Sequence, residues 1–332
     1  MSFETYKSAK ELPACWDRLA GENLYLKRKQ LEILESVNPC GQAYTIFSCP
    51  EPDSLLVTYR LKLDIFTYSR VSLKLPVVIA GIPCSVSSCG YVAGENTEVQ
   101  LFDYLRNLKG AKLVLNSGDI FKAEGFARGL TLPSCRLDMR WSSFEDYLLD
   151  MRSHYRYRLG KAIGRFSGIR QSMLADNSLF DDSLYSLYEN VYNKSEFKLE
   201  KLPISFFREF PSRIIAFYLE KKPVAFVQMA ENGSELAFLF GGMDYSLNMR
   251  YDIYTNMLIA IMRHGIEKGF KTVELGQTAE DTKQKLGGDP VIKYMYVNHS
   301  NSFINLLVKR GISILSYRPR GLSFNVFKEA GK

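Results

Sequence analysis

The sequence predicts an α+β protein of two related αβ halves, each a mixed, mostly antiparallel sheet flanked by helices. Two observations lead there. The second half runs through strands, a long amphipathic helix, a strand, a short helix and a last strand. The first half repeats that order: residues 111–140 can be laid on 270–297, both running Lys/Gly, strand, polar turn, short basic helix, Gly, Pro, strand.

The elements of the second half follow from their residues. FDDSLYSLYENVYN (180–193) repeats apolar side chains at helical spacing, and PISFFREF makes a short helix after Pro203. RIIAFYLE (213–220), KPVAFVQMAE (222–231) and ELAFLFGGM (235–243) are strands separated by EKK and ENGS turns, hence an antiparallel meander. IYTNMLIAIMRHGIEKG (253–269) is a helix with Tyr254, Leu258, Ile261 and Met262 on one face and Gly269 as its stop. KTVELGQ (271–277) is a strand, AEDTKQKLGG (279–288) a short helix and VIKYMYV (291–297) the final strand.

In the first half YTIFSC, SLLVTYRLKLDIF and VSLKLPVVIAG are strands and QLFDYLRNLKG (100–110) a helix. The halves divide near 141–152, giving domains 1–145 and 146–332. There Ser142 and Glu145 have the spacing of a capping box and open a helix.

Bulk numbers bound the function. A chain of 332 residues, 46% hydrophobic and 24% charged, is long enough for two globular domains and excludes disorder. A net charge of +7 favours anionic partners such as nucleotide phosphates, tRNA or anionic lipid, but the excess is too small to demand one. The N-terminus lacks a signal-type apolar core, and the uncharged run 75–94 is rich in Pro, Gly and Ser, so buried strands joined by a loop are expected there. The reading is cytoplasmic, with no transmembrane segment, peripheral membrane contact open and no DNA partner. The six Cys form no CxxC and the three His are scattered, so no metal site is expected and the thiols are read as reduced.

One stretch invites a nucleic-acid reading. SHYRYRLGKAIGRFSGIR (153–170) holds five Arg or Lys, no acid and several aromatic rings. As a helix it sets Arg158, Lys161 and Arg165 on one face and Tyr155, Leu159, Ala162 and Phe166 on the next. The aromatics are then used in packing. The basic face suits the phosphates of a ligand, or is simply solvated.

FEDYLLDMRSHYRYRLGKA, GGMDYSLNMRYDIYTNMLIAIMRHGIEKGFKTVELG and TKQKLGGDPVIKYMYV, taken in order, resemble the FemAB-type branch of the GNAT acyltransferases, in which the GNAT core is doubled in one chain. In the last segment Thr282 and Leu286 stand where that family has two aromatics, while Lys283 and Gly287 keep their places. The run MRYDIYTN keeps Arg250 but lacks the glycines with which CoA-using members hold a pyrophosphate.

The resemblance implies an N-acyltransferase without a permanent cofactor. Its donor is an acyl thioester on CoA or acyl carrier protein, with aminoacyl-tRNA as the alternative. Its acceptor is an amine: an amino acid, amino sugar, peptide or lipid base. It implies an oxyanion donor on the central strand near Gly241 and Gly242, and a splayed strand carrying Glu274. Asp244 and Glu274 are candidate bases, and Tyr254 and Tyr294 candidate donors or cleft walls. Gln277 is a candidate acceptor contact, and Lys283 the cleft lysine that meets the reacting groups. Lys283→Ala is then expected to slow transfer without moving the melting temperature. Direct amine attack needs no Ser/His/Asp triad, and no acyl-cysteine should form. A noncatalytic RNA- or partner-binding protein reusing the fold is the reading of another class.

Overall fold

The strand-rich pattern of the first half folds as expected from its alternation, in a computed structural model that describes residues 2–67, 73–95, 97–120, 123–319, 321 and 323–328. The strand VSLKLPVVIAG read from 71 therefore lies partly outside the described residues, as does the short basic helix expected near 121–122. In chain order the first half holds β1 (Ser2–Tyr6), α1 (Cys15–Ala20), α2 (Arg28–Val37), β2 (Ala43–Ser48), β3 (Pro52–Asp64) and β4 (Lys74–Ala80). β5 (Tyr91–Val92), α3 (Glu98–Asn107), β6 (Ala111–Ser117), β7 (Ala127–Leu130) and β8 (Ser134–Asp138) complete it.

The second half opens with α4 (Phe144–Asp150), α5 (Ser153–Arg165), β9 (Ile169–Met173), α6 (Asp182–Lys194) and α7 (Ile204–Glu209). The meander is β10 (Arg213–Leu219), β11 (Lys222–Asn232) and β12 (Glu235–Met243), followed by α8 (Tyr245–Tyr251) and α9 (Ile253–Glu267). β13 (Thr272–Gln277), α10 (Glu280–Gln284), β14 (Asp289–Val291), β15 (Tyr294–His299) and α11 (Ser302–Leu315) end the chain. α4 is capped by Ser143, whose side chain accepts from Asp146 N at 3.1 Å, so the cap lies one residue beyond the expected Ser142.

The two units are not the two halves. Residues 1–132 with 292–319 form one, and 133–291 with 320–332 the other, instead of a division at 145/146. The sheets show why. In the first unit the order is β1-β2-β3-β4-β6-β15-β7, with β5 on β3; in the second it is β14-β8-β13-β12-β11-β10-β9. β15, from the end of the chain, is inserted between β6 and β7, and β8, from the first half, between β13 and β14. The two sheets thus repeat one topology: β4 pairs parallel with β6 as β12 does with β13. The expected final strand 291–297 is in fact two strands, Asp289–Val291 in one sheet and Tyr294–His299 in the other.

In the second unit the sheet is covered on both faces. α9 is buried along nearly its whole length, Ile253, Met257, Leu258, Ile261 and Met262 included, as a helix apolar on more than one face must be. α6 and α7 cover the other face with stacked and edge-on rings, Phe207 against Phe180, Phe226 and Phe240. Gly241 and Gly242, adjacent on β12, point to these opposite faces. A Cβ on Gly242 would lie 2.5 Å from the backbone of Leu187 and Tyr188 in α6, and one on Gly241 2.6 Å from Met257 Cε in α9. Close helix packing is what these glycines serve.

Candidate active site

β12 and β13 run side by side only for Glu235–Ala237 against Thr272–Glu274, and then part. Each carries an extra residue just past that point. On β12 Phe238 pairs with Met229 and Phe240 with Gln228, so Leu239 is bulged. On β13 Glu274 faces Arg136 and Gln277 faces Ser134 of β8, leaving one surplus residue, and Gly276 takes φ +73°. Bulges bend strands and end pairing, which accounts for a V-shaped opening here.

The buried charges of this unit gather at the apex. A Cβ on Gly276 would lie 3.5 Å from Phe238 O and 3.9 Å from Lys283 Nζ, so the lysine and β12 meet across the bulge. Lys283 is 2% exposed, and its ammonium donates to Gly276 O at 3.0 Å and Gln277 O at 2.7 Å. Burial drives its pKa down to about 8, while Cys135, Glu274 and Glu280 pull it back up. Glu274, also buried, accepts from Ser134 Oγ at 3.0 Å and from Gly276 N at 2.9 Å. Its carboxylate therefore holds the bulge in shape and supplies charge beside Lys283.

Cys135 of β8 completes the cluster. A Cβ on Gly288 would come within 2.6 Å of its Sγ, and burial pushes its thiol up to about 12 against the pull of Lys283. Such a thiol is not a nucleophile at neutral pH. Tyr254, in the first turn of α9, has its phenol pKa raised by burial, with Cys135 and Tyr245 adding to the rise. Ser134, and the place of Cys135 beside Lys283, are not legible in the sequence because they lie 140 and 148 positions before Glu274 and Lys283 in the chain.

Other expected residues have other employment. Asp244 is the N-cap of α8: its Oδ1 accepts from Ser246 N at 3.0 Å and Ser246 Oγ at 2.6 Å, and Lys222 pairs with it at 3.8 Å. It is not placed as a free base. Tyr294 lies on β15 in the first unit's sheet, with Arg128 over its ring at 5.0 Å, and so is not in this cluster. Gln277 contributes its carbonyl to Lys283.

The segment before α9 is helical, not a phosphate loop. α8 leads to Asp252, which takes φ +48° and pairs with Arg165 at 3.0 Å. Asn248 Oδ1 accepts from Tyr254 N at 2.9 Å, occupying a donor at the start of α9. Arg165 is thereby removed from the expected phosphate face, whereas Arg158 and Lys161 are exposed and unpaired among the described residues. Tyr155 and Phe166 pack on the core as expected, but Tyr157 is 72% exposed. Arg250 is exposed over the ring of Tyr251.

The first unit repeats the bulge without the opening. β6 has a surplus residue against β15, with Asn116 at φ +56°. Its Nδ2 donates to Val86 O at 2.8 Å in the loop after β4, so a side chain and a loop occupy the matching position.

Comparison with known proteins fits this geometry. Residues 151–284 match the family model described as acetyltransferase (GNAT) domain. This segment is similar to a GNAT domain. It takes in α5 to α10, including the parted strands and Lys283. Over most of the chain the fold is shared with FemX at a TM-score of 0.58 and 10% identity, covering 93% of this chain and 100% of that one. L-PGS from Bacillus licheniformis superposes with a TM-score of 0.55 at 12% identity, covering 91% and 97%. A conserved protein of unknown function from Bacteroides thetaiotaomicron VPI-5482 gives 0.54 at 10%, covering 90% and 100%. At such identities the likeness is one of fold. Among curated proteins no sequence matches. No helix among the described residues is long and apolar enough to cross a membrane, and they contain no metal-binding cluster of His, Cys, Asp or Glu.

Proposed function

We propose that the GNAT-like domain catalyses N-acyl transfer, the acyl group of the donor entering between β12 and β13 and the acceptor amine attacking it there. The observation that carries this reading is the convergence of Lys283, Glu274 and the unpaired edge of β12 on the apex where the strands part. The amine nitrogen bonds to the acyl carbon, the carbon–sulfur bond breaks, and the thiol departs with a proton. Backbone N–H groups of Leu239–Gly242 that face the opening are the donors for the oxyanion. The remaining N–H of the Lys283 ammonium is directed to the bound pair, with Glu274 keeping the charge on the lysine.

The donor in this reading is an acyl thioester of CoA or acyl carrier protein. A second reading, aminoacyl-tRNA as donor, is favoured by one observation: Asp252 and the Asn248 cap occupy the start of α9, where a pyrophosphate would otherwise meet free N–H groups. Arg158 and Lys161 suit the phosphates of either donor. The acceptor is a small-molecule, peptide or lipid amine.

The test is a mass-spectrometric screen pairing acyl-CoAs, acylated carrier protein and aminoacyl-tRNA with amine acceptors, run with wild type and Lys283→Met. An N-acylated product whose formation slows in the variant supports the reading. No product from any pair, with RNA copurifying and released by salt, would replace it with a noncatalytic RNA-binding role.

A further inference from the structure

The helix α11 is apolar on two sides, and only one of them is packed. Asn305, Val308, Ile312 and Leu315 form the inner stripe, with Ile312 and Leu315 against the first unit's core. On the opposite side of the helical wheel Phe303, Leu307 and Ile314 are 68%, 51% and 55% exposed, and Leu306 and Ile304 widen the face. A soluble helix normally turns polar residues outward, so this face calls for an apolar phase.

Its charges say which phase. From 302 to 321 there is no Asp or Glu, and the charged residues are Lys309, Arg310, Arg318 and Arg320. A second copy docked about a two-fold would set these cations near their own counterparts with no carboxylate on the helix to neutralise them. An anionic lipid surface accepts both features at once: the apolar side chains enter the acyl boundary and the cations meet the headgroups. We propose that α11 seats the first unit on an anionic membrane surface.

Cosedimentation of the full chain with vesicles tests this. Wild type should pellet with vesicles of phosphatidylglycerol in phosphatidylcholine, release with added salt, and bind pure phosphatidylcholine poorly. Lys309→Glu/Arg310→Glu, both exposed and so harmless to folding, should weaken binding by roughly fivefold or more per residue. Phe303→Ser/Leu307→Ser/Ile314→Ser should abolish it, and Phe303→Trp should show a blue-shifted emission on the anionic vesicles. Failure of wild type to bind these vesicles would overturn the proposal. So would a wild-type dimer in light scattering that Leu307→Ser converts to monomer.

Discussion

Replacing Lys283 separates its electrostatics from its packing. An ammonium whose pKa falls from 10.5 to about 8 on burial costs about 3 kcal/mol of folding free energy at neutral pH. Its hydrogen bonds to Gly276 O and Gln277 O return about 1–2 kcal/mol each, so the site is near balance. Lys283→Met keeps the volume and removes both terms, and its stability at neutral pH should lie within about 1 kcal/mol of wild type. Both variants leave Gly276 O and Gln277 O without this donor, and Lys283→Ala also opens a cavity, so it should be about 2–4 kcal/mol less stable than Lys283→Met. The sequence alone suggested no such loss, because a cleft lysine was not expected to be 2% exposed.

The pH dependence carries the sign. Below pH 8 Lys283 is protonated in both the folded and unfolded states, and the burial penalty is fully present. Between about 8 and 10.5 the unfolded chain still binds the proton and the folded one has released it, so the contribution of this residue to stability rises with pH. Urea unfolding of wild type and Lys283→Met at neutral pH and at about pH 10 should show wild type gaining up to about 3 kcal/mol over the variant. Parallel pH profiles would refute the account of a desolvated ammonium. In an active assay Lys283→Met should slow transfer by about one to three orders of magnitude, and the wild-type rate should fall above pH 8. Lys285, half-buried with its ammonium 5.2 Å from the ring of Phe324, is the control and should behave as wild type in transfer.

Gly242→Ala forces the α6 backbone to move and should lower stability by about 1–3 kcal/mol, whereas Gly241→Ala meets chiefly the flexible end of Met257 and should cost less; equal melting temperatures would contradict the packing described. Cys135, buried with its thiol near 12, should resist alkylation in the native state at neutral pH and carry no acyl group in quenched turnover. Trapping of an acyl-Cys135 by mass spectrometry would require a ping-pong route instead. Arg158→Gln/Lys161→Gln should weaken donor binding and flatten its salt dependence, while Arg165→Gln, which breaks an exposed pair with Asp252, should change stability by less than about 1 kcal/mol. An unchanged salt slope in the double variant would leave the basic face merely solvated.

Local chemistry was legible in the sequence, and long-range pairing was not. The meander and α9 with its Gly269 stop follow from spacing within a few residues, whereas the inward Lys283 of α10 follows from the family resemblance. Asp244 was misread because a strand-end carboxylate and a helix cap look alike until Ser246 is seen to donate to it. Strand exchange is invisible for a stronger reason: SCRLDMR alternates equally well whichever sheet receives it, and nothing local names the partner. Yet the exchange builds the candidate site, since β8 brings Ser134 to Glu274 and Cys135 to the neighbourhood of Lys283. A fragment 146–332, cut at the boundary expected from the sequence, therefore lacks the strand between β13 and β14 and leaves both edges unpaired. A fragment 133–332 retains it. Both carry 292–319 without its sheet, so they differ only in 133–145, which holds β8 and the capped start of α4. The longer fragment should unfold cooperatively and resist proteolysis at β13, and the shorter should do neither. Equal folding of the two would show that 133–145, β8 included, is dispensable and that the site does not depend on the first half of the chain.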